Sequence, residues 1–237
     1  MIIRRVLKKI AEILGIKNYI SAKLRGRGLR EQVDNFHKGS KALLFKVDEM
    51  LNKQKVEYWL NYGTLLGAYR DHNFIKHDYD MDIGVWWKDF QGLKEIFLDN
   101  GFNLIVEFRF GPWDNPEKVE YRFEYAGAFI DVDFYTIDEN QMAYTYNPLF
   151  IDNYDYSNKG VVHPIICERI NNPIRGFKKI DFIGREFCVP SNTEEYLIYN
   201  YGSNWKIPKS VSDGFDYHDV ASNITRVEME GWVLVSN

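Results

Sequence analysis

Asp78, Asp80 and Asp82 alternate through "HDYDMDIGV", and Asp131 and Asp133 alternate inside the apolar run "AFIDVDFY". In a strand, residues two apart share a face. Each set would therefore line up its carboxylates on one side, with Tyr79, Met81 and Ile83 turned into a core. Carboxylates packed this closely repel one another and are costly to hold unless a cation sits among them. Oxygen-only donors suit hard ions, Mg2+ or Mn2+, which take a few carboxylates and complete their octahedra with water and substrate phosphate. A bare D-x-D also fits a solvated edge strand with Asp78 capping a turn. Two neighbours favour the metal. Upstream, "NYGTLLG" sets Gly63 in a turn and Thr64 at a helix start, where free backbone N–H groups and the helix dipole favour a phosphate. Downstream, "FIDVDFY" supplies a further acid, though alternation alone does not choose between Asp131 and Asp133.

A glycine turn, a short helix, a D-x-D strand and a later strand carboxylate resemble the nucleotidyltransferase superfamily. Within it, "YGTLLGAYRDHNFIKHDYDMDIGV" (62–85) is similar to the LicD/fukutin family pattern G-T-L-L-G-A-x-R-x-x-x-F-I-P-W-D-D-D-I-D-I. Gly63, Thr64, Leu65, Leu66, Gly67, Ala68, Arg70, Phe74, Ile75, Asp78, Asp80 and Asp82 fit it, while Lys76-His77 replaces Pro-Trp and Tyr79 replaces the middle aspartate. "VDFYTID" (132–138) and "VPSNTEEYLIYNYGSNWKIP" (189–208) are similar to later family segments, so the resemblance spans roughly residues 40–208.

That resemblance implies transfer of a phospho-alcohol, such as phosphocholine or ribitol phosphate, from a CDP-activated donor to a sugar hydroxyl, with release of CMP. The acceptor would be a glycan or lipid-linked oligosaccharide. It implies Mg2+ or Mn2+, as two ions, held by Asp80, Asp82 and Asp133 with Asp78 beside them. Arg70 becomes a clamp on the diphosphate, being a planar, permanently charged fork, with a surface ion pair to Asp71 as its competing role. Gly63 and Thr64 would meet substrate phosphate, and His77 would sit at the pocket edge. Asp131 would contact a second ion, Arg70 or the acceptor hydroxyl. Transfer of NMP itself, or a catalytically silent glycan-binding member, are the alternatives.

These residues need elements to carry them. Apolar spacing predicts a helix over about 34–54, a strand in "VEYWL", a short helix in "TLLGAYR", a strand in "YDMDIGVWW" and a helix closed near Gly101. Strands follow in "FNLIVEFRF", "EKVEYRFEY" and "AFIDVDFYTI", then a hairpin or bent strand in "KKIDFIGREFCVP" and a helix capped by Ser191 or Asn192. Residues 139–177 carry no decodable pattern. The expected fold is α/β (α+β), a nucleotidyltransferase-like mixed sheet flanked by helices. Its parts would be a basic amphipathic segment 1–30, a catalytic domain 31–210 and a C-terminal extension 211–237 packed on it.

Composition narrows the partners. With 237 residues, 45% hydrophobic and 16% aromatic, the chain can bury a substantial core. A net charge of −4 argues against nucleic acid. Residues 1–30 nevertheless hold nine Lys/Arg against Glu12 alone, +8 in all, which leaves −12 for the other 207. In "MIIRRVLKKIAEILG" the apolar residues recur at helical spacing, predicting a basic amphipathic helix that either packs on its own domain or lies on an anionic leaflet. No signal peptide or spanning run is apparent, so the expected setting is cytoplasmic, peripheral on the membrane if that helix binds it. Cys167 and Cys188 show no metal-ligand or disulfide pattern and read as reduced core residues.

Overall fold

In the computed structural model, residues 29–151, 154–209 and 220–236 are described. The basic helix expected over residues 1–15 lies outside them. The first helix, α1 (Leu29–Lys53), forms where Phe36, Leu43, Leu44, Val47, Met50 and Leu51 recur on one face, and burial of that face holds it. Then come β1 (Tyr58–Leu60), α2 (Tyr62–Leu66) running into a π-turn (Gly67–Asp71), β2 (Asp80–Trp86) and α3 (Leu93–Asp99). Three long strands follow: β3 (Asn103–Phe110), β4 (Lys118–Tyr125) and β5 (Ala128–Ile137). Residues 143–149 and 162–172, where no element was expected, are β6 (Ala143–Leu149) and β7 (Val162–Asn172). The chain continues through the hairpin β8 (Phe177–Phe182) and β9 (Arg185–Pro190), α4 (Thr193–Tyr201) and β10 (Ile224–Val235).

Eight strands form one mixed sheet in the order β1-β2-β5-β4-β3-β10-β7-β6, flanked by the four helices found among the described residues. Strand β6 also pairs with the end of β5, Thr136 opposite Tyr144 and Ile137 opposite Ala143, so six strands close a ring. β2 and β5 are parallel, and every other neighbouring pair is antiparallel. One core cluster joins α1, α3 and the faces of β2, β4 and β5 that carry Met81, Ile83, Phe123, Ile130, Val132 and Phe134. A second is built by Val106, Phe108, Phe110, Tyr146, Ile165, Cys167 and Val233. Both cysteines are free, Cys167 buried and Cys188 half-buried.

The C-terminal segment departs from expectation. Rather than packing over a finished domain, β10 lies inside the sheet between β3 and β7. Both its edges are hydrogen-bonded, which a covering segment could not achieve. Asn192 occupies the N-cap position of α4, but its side chain does not cap the helix. Its amide instead ties Pro173 and Glu195 together, and its oxygen accepts from the Arg175 N–H.

Candidate active site

Two links lash α2 to β2. The Asn61 N–H donates to the Asp82 carbonyl at 3.1 Å, and the Asp82 N–H donates to Thr64 Oγ1 at 2.9 Å. The strand therefore starts against the first turn of α2. A Cβ on Gly63 would lie 3.1 Å from Asp78 Oδ2 and 3.4 Å from Asp82 Oδ2, so the missing side chain lets these carboxylates close on the backbone. Next along the sheet, the parallel register sets Asp82 beside Asp131 and Gly84 beside Asp133.

These residues border a cavity of about 320 Å3. The lining comprises Tyr62, Gly63, Tyr79, the five aspartates, Glu120, Asn147, Pro148, Leu149, Glu168 and Tyr201. Seven of these described lining residues are carboxylates and none is Lys or Arg. Burial, then the neighbouring Asp80, Asp131, Asp133 and Asp78, push the Asp82 carboxyl well above the usual carboxylate range. Burial and the Asp80 charge push Asp78 up to about 8, with the Arg70 charge opposing. Among the described residues no three His, Cys, Asp or Glu side chains stand as a ready cage for a metal ion. The donor chemistry fits one nonetheless: carboxylate oxygens on two adjacent strands and their approach, among them the half-buried Asp78 and Asp82, whose repulsion a divalent cation would relieve.

A family description, "LicD/FKTN/FKRP, nucleotidyltransferase domain", matches residues 55–192, which carry every acid of this cavity. The chain belongs to the LicD/FKTN/FKRP family. The human ribitol-5-phosphate transferase FKTN is 26% identical over 180 residues, 75% of this chain and 35% of that protein. The mouse ribitol 5-phosphate transferase FKRP is 30% identical over 78 residues, 32% of this chain and 16% of that protein. An uncharacterized protein of Rickettsia prowazekii, RP689, is 40% identical over 86 residues, 32% of each chain. The chain thus spans about a third of the length of the FKTN proteins it matches.

Within this LicD-family site, not every expected residue faces the cavity. Asp78, Asp80, Asp82, Asp131, Asp133 and Gly63 do; Thr64 is buried behind it, its hydroxyl taken by the Asp82 N–H. His77 is exposed and is not among the lining residues. Arg70 forms the ion pair with Asp71, at 2.8 and 2.7 Å, and also reaches the Trp205 carbonyl at 3.3 Å. Tyr79, expected in the core, lines the cavity, because β2 begins at Asp80 and strand alternation does not extend back to residue 79.

Two residues that sequence reading missed organise the acids. Arg122 Nε donates to Asp131 Oδ1 at 2.6 Å, while its Nη2 reaches both Asp131 Oδ2 at 2.5 Å and Asp80 Oδ2 at 2.6 Å. Asp131 is thus held by Arg122, not by Arg70. A signal was present in "KVEYRFEY", where Lys118, Glu120, Arg122 and Glu124 alternate inside an apolar strand and all are buried. Asn61, fully buried, donates to Asp133 Oδ2 at 3.0 Å and to the Tyr135 hydroxyl at 3.1 Å, while its oxygen accepts from the Tyr196 hydroxyl. Nothing in the local sequence marks Asn61, since its side-chain partners lie 72 or more residues away.

Proposed function

We propose that this chain catalyses metal-dependent transfer of a phospho-alcohol from a CDP-activated donor to a sugar hydroxyl of a glycan, releasing CMP. The observation that carries this reading is the single cavity that collects five aspartates from two adjacent strands and their approach, closed on α2 by Gly63. The names of the FKTN and FKRP relatives support ribitol phosphate as the transferred group.

Asp80, Asp82 and Asp133 would hold Mg2+ or Mn2+, with Asp78 alongside. The bound cation supplies charge neutralisation at the phosphate oxygens. The chain supplies placement: α2 and β2, tied through Asn61 and Thr64, would hold the donor beside the aspartates, and Asn147, Pro148, Leu149 and Glu168, which also line the cavity, would receive the acceptor. The acceptor oxygen attacks the phosphorus that bears the alcohol, the bond from that phosphorus to the CMP oxygen breaks, and the hydroxyl proton leaves to a carboxylate or water. Attack on the other phosphorus would pass NMP instead.

Incubation with CDP-ribitol, CDP-choline, CDP-glycerol or CDP-ethanolamine, Mn2+ and a glycan acceptor separates the two. CMP and a phospho-alcohol product are expected; a nucleotidylated product would replace this reading with NMP transfer. A true donor present at 100 times its Kd also stabilises the fold by about 2.7 kcal/mol. Lack of both turnover and thermal stabilisation with every donor would overturn the reading in favour of a silent member.

A further inference from the structure

We propose that Arg122 is the positioning residue of the acid cluster: its fork withdraws Asp131 from the metal and aims Asp80, so that the ion falls to Asp80, Asp82 and Asp133. The inference rests on the metal reading above.

Three adjacent strands put Asp82, Asp131 and Arg122 in one cross-strand row, Asp82 beside Asp131 on β5 and Asp131 beside Arg122 on β4. Side chains in such a row share a face, so without Arg122 two carboxylates would stand abreast. The guanidinium engages both oxygens of Asp131, at 2.6 and 2.5 Å, and so draws that carboxylate toward β4. Its Nη2 then spans to Asp80 Oδ2 at 2.6 Å. Arg122 and Asp131 side chains are each 5% exposed, and Asp80 is 18% exposed, so the paired oxygens lie deep while Asp80 still reaches the cavity. The Phe129 ring lies 5.8 Å from the guanidinium and packs beside it. A bidentate, planar donor is what this geometry needs; a lysine ammonium carries the same charge without the fork.

The position of Arg122 behind the acids makes it a group that acts through Asp80 and Asp131, so its test reads metal affinity without donor or acceptor. Mn2+ binding is measured by electron paramagnetic resonance on the whole chain and on Arg122→Lys, Asp131→Asn, their double variant and Asp82→Asn, each checked for folding by circular dichroism. We expect Arg122→Lys to weaken Mn2+ by about 10- to 100-fold, the usual range for groups that orient metal ligands. The double variant should bind no more weakly than the worse single one, because both changes break the same contact. Unchanged affinity in Arg122→Lys, or losses that multiply in the double variant, overturn the proposal. If Arg122→Lys does not fold, Asp131→Asn decides alone: retained Mn2+ binding beside its loss in Asp82→Asn upholds the proposal, and equal loss in both makes Asp131 a ligand and overturns it. Failure of the unaltered chain to bind Mn2+ overturns the metal reading and this inference with it.

Discussion

Asp82 and Asp131 stand side by side, yet the fold treats their charges in opposite ways. Asp131 is closed into a buried pair with Arg122, whereas Asp82 is half-buried among other carboxylates. Removing one member of a buried pair leaves the other uncompensated, at about 3–5 kcal/mol, while removing a charge from a repelling cluster relieves strain. In EDTA at pH 8, Asp131→Asn should therefore lower the free energy of unfolding by about 3 kcal/mol, and Asp82→Asn should raise it; urea denaturation reads both, and the reverse order would contradict the pairing. The same cluster sets a pH dependence. Asp78 is pushed from 3.8 up to about 8 by burial and the Asp80 charge, and Asp82 moves the same way. A carboxyl whose folded pKa is raised favours the fold while protonated, a contribution fully present below 3.8 and lost as pH rises toward about 8. The metal-free chain should lose Tm from pH 5 to pH 8.5, and Mg2+ should restore it at the upper end. A flat profile in calorimetry would contradict this.

At the scale of elements, β1 and β2 meet through a glycine. Gly84 pairs with Trp59, and a Cβ there would lie 2.2 Å from the indole. That ring is wedged by Trp86, Tyr135 and Phe177 at centroid distances of 4.9, 5.3 and 5.0 Å, so it has nowhere to move. Gly84→Ala should destabilise the fold by at least the 1–3 kcal/mol typical of overpacking and reduce activity by shifting the strand that carries Asp80 and Asp82; thermal unfolding and turnover measure each. Most elements were legible because their burial is patterned locally. Met81, Ile83 and Val85 alternate along β2, as do Ile130, Val132 and Phe134 along β5, and α1 keeps one apolar stripe. Strands β6 and β7 were not, because Asn147, Pro148, Pro164 and Glu168 speak against a strand locally, and only pairing with each other, with β10 and with the end of β5 satisfies their backbones.

Across the whole molecule, a buried polar chain runs from the acids to the C-terminal strand. Asn61 joins Asp133 to Tyr135; Asn172 donates to Tyr135 at 3.4 Å; Asn200 and Asn223 donate to Asn172 Oδ1 at 2.8 and 2.9 Å. Asn223 also donates to Asn200 Oδ1 at 2.9 Å. Asn223→Ala should cost about 1–3 kcal/mol by stripping donors from buried acceptors, with urea midpoints as the measure. Asn223-Ile224-Thr225 matches a glycosylation sequon, but Asn223 is 4% exposed and its amide is engaged, so mass spectrometry should find no glycan there. No described helix is long and apolar enough to cross a membrane. We propose, from the alternation of basic and apolar residues in "MIIRRVLKKIAEILG", that residues 1–15 bring the chain to an anionic membrane surface. Deleting residues 1–15 should abolish flotation with anionic vesicles while Mn2+ binding persists, and unchanged flotation would remove the basis for that role.

The order of residue types along the chain determined the family motif, the acid strands and most of the helices, since each depends on neighbours a few positions apart. Tertiary structure decided which acids share a cavity, that Arg122 and not Arg70 holds Asp131, and that Asn61 backs Asp133. It also decided that residues 224–235 belong inside the sheet. The physical reason is common to all four: a carboxylate's partner, like a strand's edge, is chosen by strand order and register, and those bring together residues that the sequence leaves tens of positions apart.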